Sequence, residues 1–246
     1  MIVLKLGGSV ITEKDRAETL DGDALERAAD AIAAARADGG ADLVVVHGGG
    51  SFGHHNASEH GVTTTEGTHD ANAALDIHGA MTTLNRFVLG RLLERDVQAV
   101  PVHPFSTAHR DGDGTLELPT GQVETMLAEG FVPVLHGDVI AHAGAGATVV
   151  SGDELVAALA RALEADRVGL CSTVPGVLDG EDTVIDRIDD FETVADVLGA
   201  SEATDVTGGM AGKVRTLLDL EAAASVFDCE SLASFLDGEN PGTTID

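Results

Sequence analysis

Short apolar runs alternate with helix-like stretches along this chain, and this alternation restricts its fold more than any other feature. The apolar runs lie at residues 2–6, 42–46, 97–102, 131–138 and 166–171, and helical periodicity marks residues 22–38, 71–95, 120–129 and 151–164. A last helix is expected from about Gly212, and residues 235–246 read as a turn and a short strand. The alternation predicts an α/β fold, with helices on both faces of one mainly parallel sheet in a single domain over residues 1–246.

Glycine clusters follow the first two predicted strands. Gly7, Gly8 and Ser9 end the first, and residues 47–54, HGGGSFGH, end the second. Ligands of parallel sheets bind beyond the carboxyl ends of the strands, and glycine turns leave backbone N–H groups free for an anion. Two further motifs are associated with helices: SGDE at residues 151–154 reads as a capping box, and TGGMAGK at residues 207–213 would place a cation near a helix start.

The HGGGSFGH segment admits a second interpretation. Gly48, Gly50 and Gly53 match the GxGxxG spacing of dinucleotide sites, which would predict a NAD-dependent oxidoreductase. However, the polar residues 54–67 are expected to form turns rather than the apolar helix that this fingerprint requires. The segment is not a P-loop either, because His54 stands where lysine is needed. A glycine-rich anion loop with His54 at its edge is the interpretation that remains.

The ten histidines raise the question of a metal site. His54, His55 and His60 lie closest together, but their spacing matches no zinc pattern and neither cysteine joins them. No protein-held metal is therefore expected.

Lysine is nearly absent from the chain. Only three of the fourteen basic Lys and Arg residues are lysines, and Lys5, Lys14 and Lys213 all lie in or beside the glycine-rich segments. A lysine in a buried strand is costly unless it meets an anion, and its ammonium is a compact point charge suited to a phosphoryl group. Asp153 of the SGDE motif could hold such an ammonium. The pattern favours a site for phosphate transfer.

The formal net charge of −28 is spread over the whole chain. It is typical of an acidic surface that works in concentrated salt, and it disfavours nucleic acid and anionic membranes as partners because both are polyanionic. The two cysteines lack metal-ligand spacing, and no leader or membrane-spanning run is recognised. We therefore expect a soluble, cytoplasmic protein.

The motifs KLGGSVIT, HGGGSFGHH, GFVPVLHGDV, SGDELV and DVTGGMAGKV resemble the amino acid kinase superfamily, in the same order, and within it the isopentenyl phosphate kinases. This resemblance implies an open αβα sandwich, usually a homodimer. It also implies transfer of the γ-phosphoryl group of ATP, carried with Mg²⁺, to isopentenyl phosphate in an alternative mevalonate pathway typical of archaea. The acceptor part would cover residues 1 to about 150, and the nucleotide part residues 151–246.

The resemblance also implies roles for individual residues. Lys5, Gly7, Gly8, Ser9, Gly50, Gly209 and Lys213 would hold ATP; Lys14 would stabilise the moving phosphoryl group; Gly49, His54 and Gly152 would contact the acceptor; and Asp153 would organise the lysines. Candidates for the apolar acceptor pocket are Ile77, Met81 and Leu84, which the same periodicity equally explains as core.

Two questions stay open at this stage. Thr173 and Pro175 stand where the superfamily often has acidic residues on the adenine side, which leaves the nucleotide preference undecided. Two alternative functions also stay open. One is a kinase for another small phosphate or phosphonate, such as fosfomycin, and the other is a nucleotide-binding module without catalysis.

Overall fold

The structure, a computed structural model, describes residues 1–37, 39–199 and 209–246. The strands in this part of the chain are β1 Ile2–Leu6, β2 Leu43–His47, β3 Ala99–Pro101, β4 His109–Arg110, β5 Leu116–Glu117, β6 Val132–His136, β7 Asp138–His142, β8 Gly146–Val150, β9 Arg167–Ser172, β10 Arg187–Ile188, β11 Ala223–Asp228 and β12 Thr243–Ile245. The helices are α1 Gly8–Ile11, α2 Gly22–Arg36, α3 Gly50–Glu59, α4 Ala71–Leu93, α5 Pro104–Thr107, α6 Gly121–Ala128, α7 Gly152–Ala162, α8 Ala195–Gly199, α9 Gly209–Leu218 and α10 Leu232–Leu236.

An eight-stranded sheet forms the centre of the molecule, in the order β10-β12-β11-β9-β1-β2-β6-β3. Neighbouring strands are parallel except β11 and β12, which pair antiparallel. The predicted mainly parallel α/β sheet is therefore confirmed. Because β1 lies between β9 and β2, the turns that follow these strands meet at one edge of the sheet.

The alternation of side chains along β1 assigns its residues to opposite faces. Ile2, Leu4 and Leu6 pack into a core with helices α2, α4 and α10. Val3 joins a second core on the other face, with helices α7 and α9. Since Lys5 shares the face of Val3, its side chain lies on the side of α7, and the two cores make the αβα layers.

The expectation of one sheet was wrong. A second, four-stranded sheet has the order β5-β4-β7-β8. Its strand β7 continues from β6 across a single residue, Gly137, so one chain segment passes from the large sheet into the small one. Strand β8 pairs antiparallel with β7 and places Val150 opposite Asp138. The sequence hid this hairpin because its glycines and alanines interrupt any apolar alternation.

Two helix predictions also need correction. Residues 50–59 form helix α3, although residues 50–53 were expected in a glycine-rich loop and residues 54–67 in turns. The helix is mostly polar and packs through few side chains, chiefly Phe52. Helix α9 begins at Gly209 rather than near Gly212. Strand β11 had no counterpart in the prediction, whereas the strand at residues 2–6 and the helices near 22–38, 71–95, 120–129 and 151–164 are confirmed.

None of the helices among the described residues is long and apolar enough to cross a membrane.

Candidate active site

A cleft of about 1150 Å³ lies at the carboxyl ends of β1, β2, β6 and β9. All three lysines of the chain line it, and most of the predicted site residues line it with them: Lys5, Gly7, Gly8, Ser9, Lys14, Gly49, Gly50, His54, Ile77, Met81, Gly152, Asp153 and Lys213. Two predicted residues, Leu84 and Gly209, are not in its lining. The cleft therefore brings together residues that are more than two hundred positions apart in sequence, such as Lys5 and Lys213.

The first two glycine turns touch each other at the floor of the cleft. A Cβ atom added to Gly8 would lie 2.1 Å from the backbone nitrogen of Gly50, and one added to Gly48 would lie 2.6 Å from that of Gly8. Gly50 also has a φ of 48°, in the left-handed region. Only glycine permits this approach of two backbones, and the contact fixes the position of α1 relative to α3.

Lys5 forms an ion pair beside these turns. Its Nζ donates to Asp153 Oδ1 over 2.6 Å, and the two side chains are only 11% and 18% exposed. A Cβ atom at Gly152 would lie 3.2 Å from Lys5 Cε, so the absence of a side chain there leaves room for the lysine. Burial of one lysine is thus compensated by a carboxylate that the first turn of α7 holds in place.

The start of α7 is the capping box that the sequence predicted. Glu154 N donates to Ser151 Oγ over 3.2 Å, and Ser151 N donates to Glu154 Oε2 over 2.8 Å. Buried Arg110 adds a second constraint, since its Nη2 donates to Glu154 Oε1 over 2.6 Å. Asp153 therefore stands in a turn whose backbone is held on both sides.

Lys14 lies in an exposed loop between α1 and α2. The ends of this loop pair through Thr12 and Leu20, and Glu13 N donates to Thr19 O over 2.9 Å. Ser51 anchors the loop to α3: its N donates to Thr12 Oγ1 over 2.9 Å, and its Oγ donates to Thr19 O over 3.2 Å. The loop thus holds Lys14 at the mouth of the cleft.

A second contact ties the same loop to α3. Asn56 Nδ2 donates to Glu18 Oε1 over 2.8 Å, and the same nitrogen donates to Phe52 O over 2.9 Å. Thr12 and Ser51 stand inside the motifs KLGGSVIT and HGGGSFGH, but sequence reasoning gave neither them nor Asn56 a role, because their partners are distant in sequence.

His54 lies on the exposed side of α3, within the cleft. Ile77 and Met81, one helical turn apart on α4, form part of the wall that faces it. Met81 Sδ lies 2.8 Å from where a Cβ of Gly53 would be, so the wall and α3 are in close contact. Leu84, one turn further along α4, is fully buried in the core with α2 and supports this wall from behind.

The nucleotide-side motif is only partly described, because residues 207 and 208 of TGGMAGK fall outside the described ranges. Gly209 is the first residue of α9 and has a φ of 58°. Lys213 lies in the next turn, half-buried, and lines the cleft. Thr173 lines it as well, at the end of β9.

Two buried histidines support the glycine turns from below. His47 and His136 end the neighbouring strands β2 and β6, and their rings stack with centroids 5.5 Å apart. Each Nδ1 lies within 3.1 Å of the next residue's carbonyl oxygen, Gly48 O and Gly137 O respectively. Burial lowers the pKa of His47 to about 4 and that of His136 well below its ordinary value. Both rings are therefore neutral at pH 7 and donate through Nδ1.

The neutral state of His47 also decides the orientation of Asn85. Asn85 Oδ1 is placed 3.2 Å from His47 Nε2, and the buried Nδ2 of Asn85 has no hydrogen-bond partner among the described residues. Since Nδ1 of His47 donates, its Nε2 is an acceptor, so we infer that the amide of Asn85 is rotated to turn its NH₂ group toward Nε2. Sequence reasoning missed this layer, although an HG pair after each of two strands was its visible signal.

No group of three or more His, Cys, Asp or Glu residues suited to a metal ion occurs in residues 1–37, 39–199 and 209–246. The geometry described so far is that of an anion site with three converging cations.

The profile of the amino acid kinase family matches residues 1–225 of the chain. The chain belongs to the amino acid kinase family. Among curated relatives, this amino acid kinase is 60% identical to the isopentenyl phosphate kinase of Haloferax volcanii, over 100% of this chain and 98% of that protein. The isopentenyl phosphate kinase of Methanocaldococcus jannaschii is 32% identical over the same shares of the two chains.

Solved structures agree with the sequence comparison. An X-ray structure of an isopentenyl phosphate kinase is 29% identical and superposes with a TM-score of 0.84 over 100% of both chains. The structure of an isopentenyl phosphate kinase substrate complex, 24% identical with a TM-score of 0.79, shares the fold. Within its family, this amino acid kinase therefore groups with the isopentenyl phosphate kinases.

Proposed function

We propose that this amino acid kinase transfers the γ-phosphoryl group of ATP to isopentenyl phosphate and forms isopentenyl diphosphate. The observation that carries the proposal is the convergence of Lys5, Lys14 and Lys213 on one cleft in a chain that has no other lysine. The names of the relatives supply the acceptor, since the relative with 60% identity over nearly its whole length is an isopentenyl phosphate kinase.

The chemistry needs no general base. A phosphate monoester has a second pKa near 6, so at neutral pH its oxygen is already a nucleophile. That oxygen forms a bond to the γ-phosphorus of ATP while the bond between this phosphorus and the β,γ-bridging oxygen breaks, and ADP leaves with the bond's electrons. Bringing two polyanions into line is the main difficulty, so positive charge and positioning dominate catalysis.

Each cation has a place in this scheme. We assign Lys14 to the moving phosphoryl group, because the loop anchored by Ser51 holds it at the cleft mouth. Lys5 and Lys213 would hold the ATP phosphates, with Asp153 fixing the ammonium of Lys5. His54 would bind the acceptor phosphate.

Backbone groups complete the proposed site. Gly7, Gly8, Ser9, Gly50 and Gly209 are assigned to ATP, and Gly49 and Gly152 to the acceptor. Gly209 does not line the cleft, so its part would be to start α9, which carries Lys213. The part of the chain up to about residue 150 would then bind the acceptor, and the rest would bind the nucleotide.

Mg²⁺ would accompany the ATP phosphates. The acidic side chains Asp15, Glu59, Asp138 and Asp153 line the cleft, but Asp153 is paired with Lys5 and no three-carboxylate cage exists among the described residues. The residues present therefore suit a metal that arrives bound to ATP, where it would neutralise phosphate charge.

The isopentenyl tail would lie against the apolar part of the cleft. Ile77 and Met81 line this part together with Val149 and Val150 of β8. Leu84 would act indirectly, because it is buried behind Met81 in the core.

We further propose a cytoplasmic homodimer adapted to high salt. The net charge of −28 supports the salt adaptation. Leu75 and Leu93 of α4 are 58% and 52% exposed and face the same way, five helical turns apart, which gives the helix an apolar side for a second copy. Sedimentation analysis with and without Leu75→Glu would test the dimer, since the variant should be monomeric.

The decisive test of the activity is a comparison of acceptors. ADP formation is measured in concentrated potassium chloride with isopentenyl phosphate, dimethylallyl phosphate and fosfomycin in parallel. Isopentenyl phosphate should give the highest kcat/KM, and His54→Ala should weaken its binding or turnover. Turnover of fosfomycin alone would replace the proposed acceptor. Binding of ATP without transfer to any acceptor would indicate a nucleotide-binding module, and tight NAD binding would favour the dinucleotide interpretation.

A further inference from the structure

A buried aspartate lies at the apolar end of the cleft. Asp138 is only 2% exposed, and its carboxylate accepts from His78 Nδ1 at 2.9 and 3.1 Å and from its neighbour Val139 N at 2.9 Å. The backbone N–H of Phe105 also bonds to it. One carboxylate thus receives hydrogen bonds from α4, α5 and β7, although none of the proposed catalytic steps uses it.

Asp138 lies in the lining of the cleft, and His78 lies next to an apolar residue of that lining. His78 follows Ile77 on α4, and Ile77 lines one wall. Asp138 begins β7 and is paired with Val150 of β8, which also lines the cleft. The 2.9 Å contact between the two side chains therefore joins α4, which carries Ile77, to the hairpin that carries Val150.

The surroundings of this pair favour the protonated, positively charged form of His78. Burial raises the pKa of Asp138, but the hydrogen bond from His78 opposes this, and the same bond raises the pKa of His78 above its ordinary value. The groups that face the pair from neighbouring elements are His103, whose ring centroid lies 5.8 Å from that of His78, and His136, whose Nδ1 lies 3.7 Å from Asp138 Oδ2. Both have lowered pKa values, chiefly through burial, and are neutral at pH 7.

We propose that Asp138 and His78 form a positioning pair that sets the width of the acceptor pocket and thereby the tail length that the enzyme accepts. This inference rests on the proposed function, because it concerns the same acceptor. With the pair intact, α4 is held against β7 and the gap between Ile77 and Val150 suits a five-carbon tail. Without it, only apolar packing of Ile77 on Val139 and Ala147 holds this part of α4 to the hairpin, and a small outward shift of α4 lets longer tails fit.

The test uses two variants that remove the charge with little change of size, Asp138→Asn and His78→Gln. The matched control is Asp76→Asn, which breaks an exposed pair of the same type on α4, between His60 Nε2 and Asp76 Oδ2 at 3.1 Å. Kinetic constants are measured with ATP, with isopentenyl phosphate and with a ten-carbon prenyl monophosphate. Thermal unfolding establishes that each variant is folded. If Asp138→Asn does not fold, His78→Gln carries the test, because His78 is partly exposed.

In both variants we expect KM for isopentenyl phosphate to rise about tenfold while KM for ATP changes less than about twofold. The ratio of kcat/KM for the ten-carbon tail to that for the five-carbon tail should rise by about the same factor. The control should match the wild type.

A pH profile separates positioning from a general loss of stability. The pair is complete below the raised pKa of His78 and loses its charge as the pH rises through it. The ratio of acceptor KM between His78→Gln and wild type should therefore be largest near pH 6 and fall towards one at alkaline pH. Titration of the acceptor affects both enzymes alike and cancels in the ratio.

Unchanged acceptor KM and unchanged tail selectivity in a folded variant would overturn the inference, and so would an equal rise in KM for ATP. These results leave the proposed function intact. Absence of any turnover of isopentenyl phosphate by the wild type would instead refute the proposed function, and the inference with it.

Discussion

Gly8 allows two backbone segments of the site to touch, and its replacement should separate them. In Gly8→Ala the new methyl group would lie 2.1 Å from Gly50 N, an atom that cannot move independently of α3. We expect the free energy of unfolding to fall by about 1–3 kcal/mol, the usual range for overpacking, together with a loss of activity. Urea unfolding monitored by circular dichroism measures the change.

Gly121→Ala is the matched control, because nothing lies within 4 Å of the Cβ position at Gly121. It should alter the unfolding free energy by less than about 0.5 kcal/mol. Equal losses in the two variants would show that the contact between Gly8 and Gly50 does not matter.

His47 makes stability depend on acidity. Its pKa is about 4 in the folded protein and 6.5 ordinarily, so between these values the unfolded chain binds more protons and stability falls as the pH falls. The difference corresponds to about 3 kcal/mol, lost between pH 6.5 and 4. His47→Gln should have a shallower dependence of unfolding free energy on pH in that interval.

The variant His109→Gln serves as the comparison for His47, because the side chain of His109 is 54% exposed. The free energy of unfolding of His109→Gln should depend on pH as that of the wild type does. If His47→Gln also shows the wild-type dependence, the buried ring of His47 is not the cause.

Individual site residues were predictable where a motif or a scarcity marked them. Lysine scarcity singled out Lys5, Lys14 and Lys213, and the structure places all three in one cleft. Asp138 and Ser51 stood within quoted motifs, but their roles were not predicted, because those roles arise from partners that only the folded chain brings near.

At the scale of elements, the start of α7 is the best-defined feature near the cleft. Ser151 caps the helix by accepting from Glu154 N, so Ser151→Ala should lower the unfolding free energy by about 1 kcal/mol. Thr120→Ala is the control, because Thr120 precedes α6 without a side-chain cap bond and should cost less than about 0.5 kcal/mol. Similar losses, measured by urea unfolding, would contradict the role of the cap.

Elements were predictable when they carried their own periodicity. Helix α7 combines a capping box with an apolar stripe, and both are readable in sequence. Helix α3 has neither, since it is polar and is stabilised by contacts with α1 and α4. Strand β8 was missed for a related reason: it is held by pairing with β7, a partner that local sequence does not reveal.

At the scale of the whole molecule, the acidic surface should make stability depend on salt. A net charge of −28 repels itself, and the screening length falls from about 10 Å at 0.1 M salt to about 3 Å at 1 M. The urea midpoint should therefore rise as potassium chloride is raised, and sodium chloride at equal ionic strength should act alike. A midpoint independent of salt would mean that the repulsion is unimportant.

The architecture was predictable because strand and helix alternation leaves few topologies. The sheet order that places β1 between β9 and β2 was not predicted; it comes from the structure, and it brings the strand ends together at the cleft. The second sheet was not predictable, since it depends on the passage from β6 to β7 through Gly137.

The central claim is that a cation carried by the loop after α1 assists phosphoryl transfer. Lys14 lines the cleft, whereas Arg16 of the same loop lies outside its lining and pairs with Glu13 at 3.1 Å. The measurement that tests the claim most directly is the initial rate of isopentenyl diphosphate formation by Lys14→Ala and Arg16→Ala at saturating ATP. We expect Lys14→Ala to lower kcat by about 10²–10³ with KM for ATP nearly unchanged, and Arg16→Ala to match the wild type. An unchanged kcat with weakened ATP binding in Lys14→Ala, or an equal loss in Arg16→Ala, would contradict it.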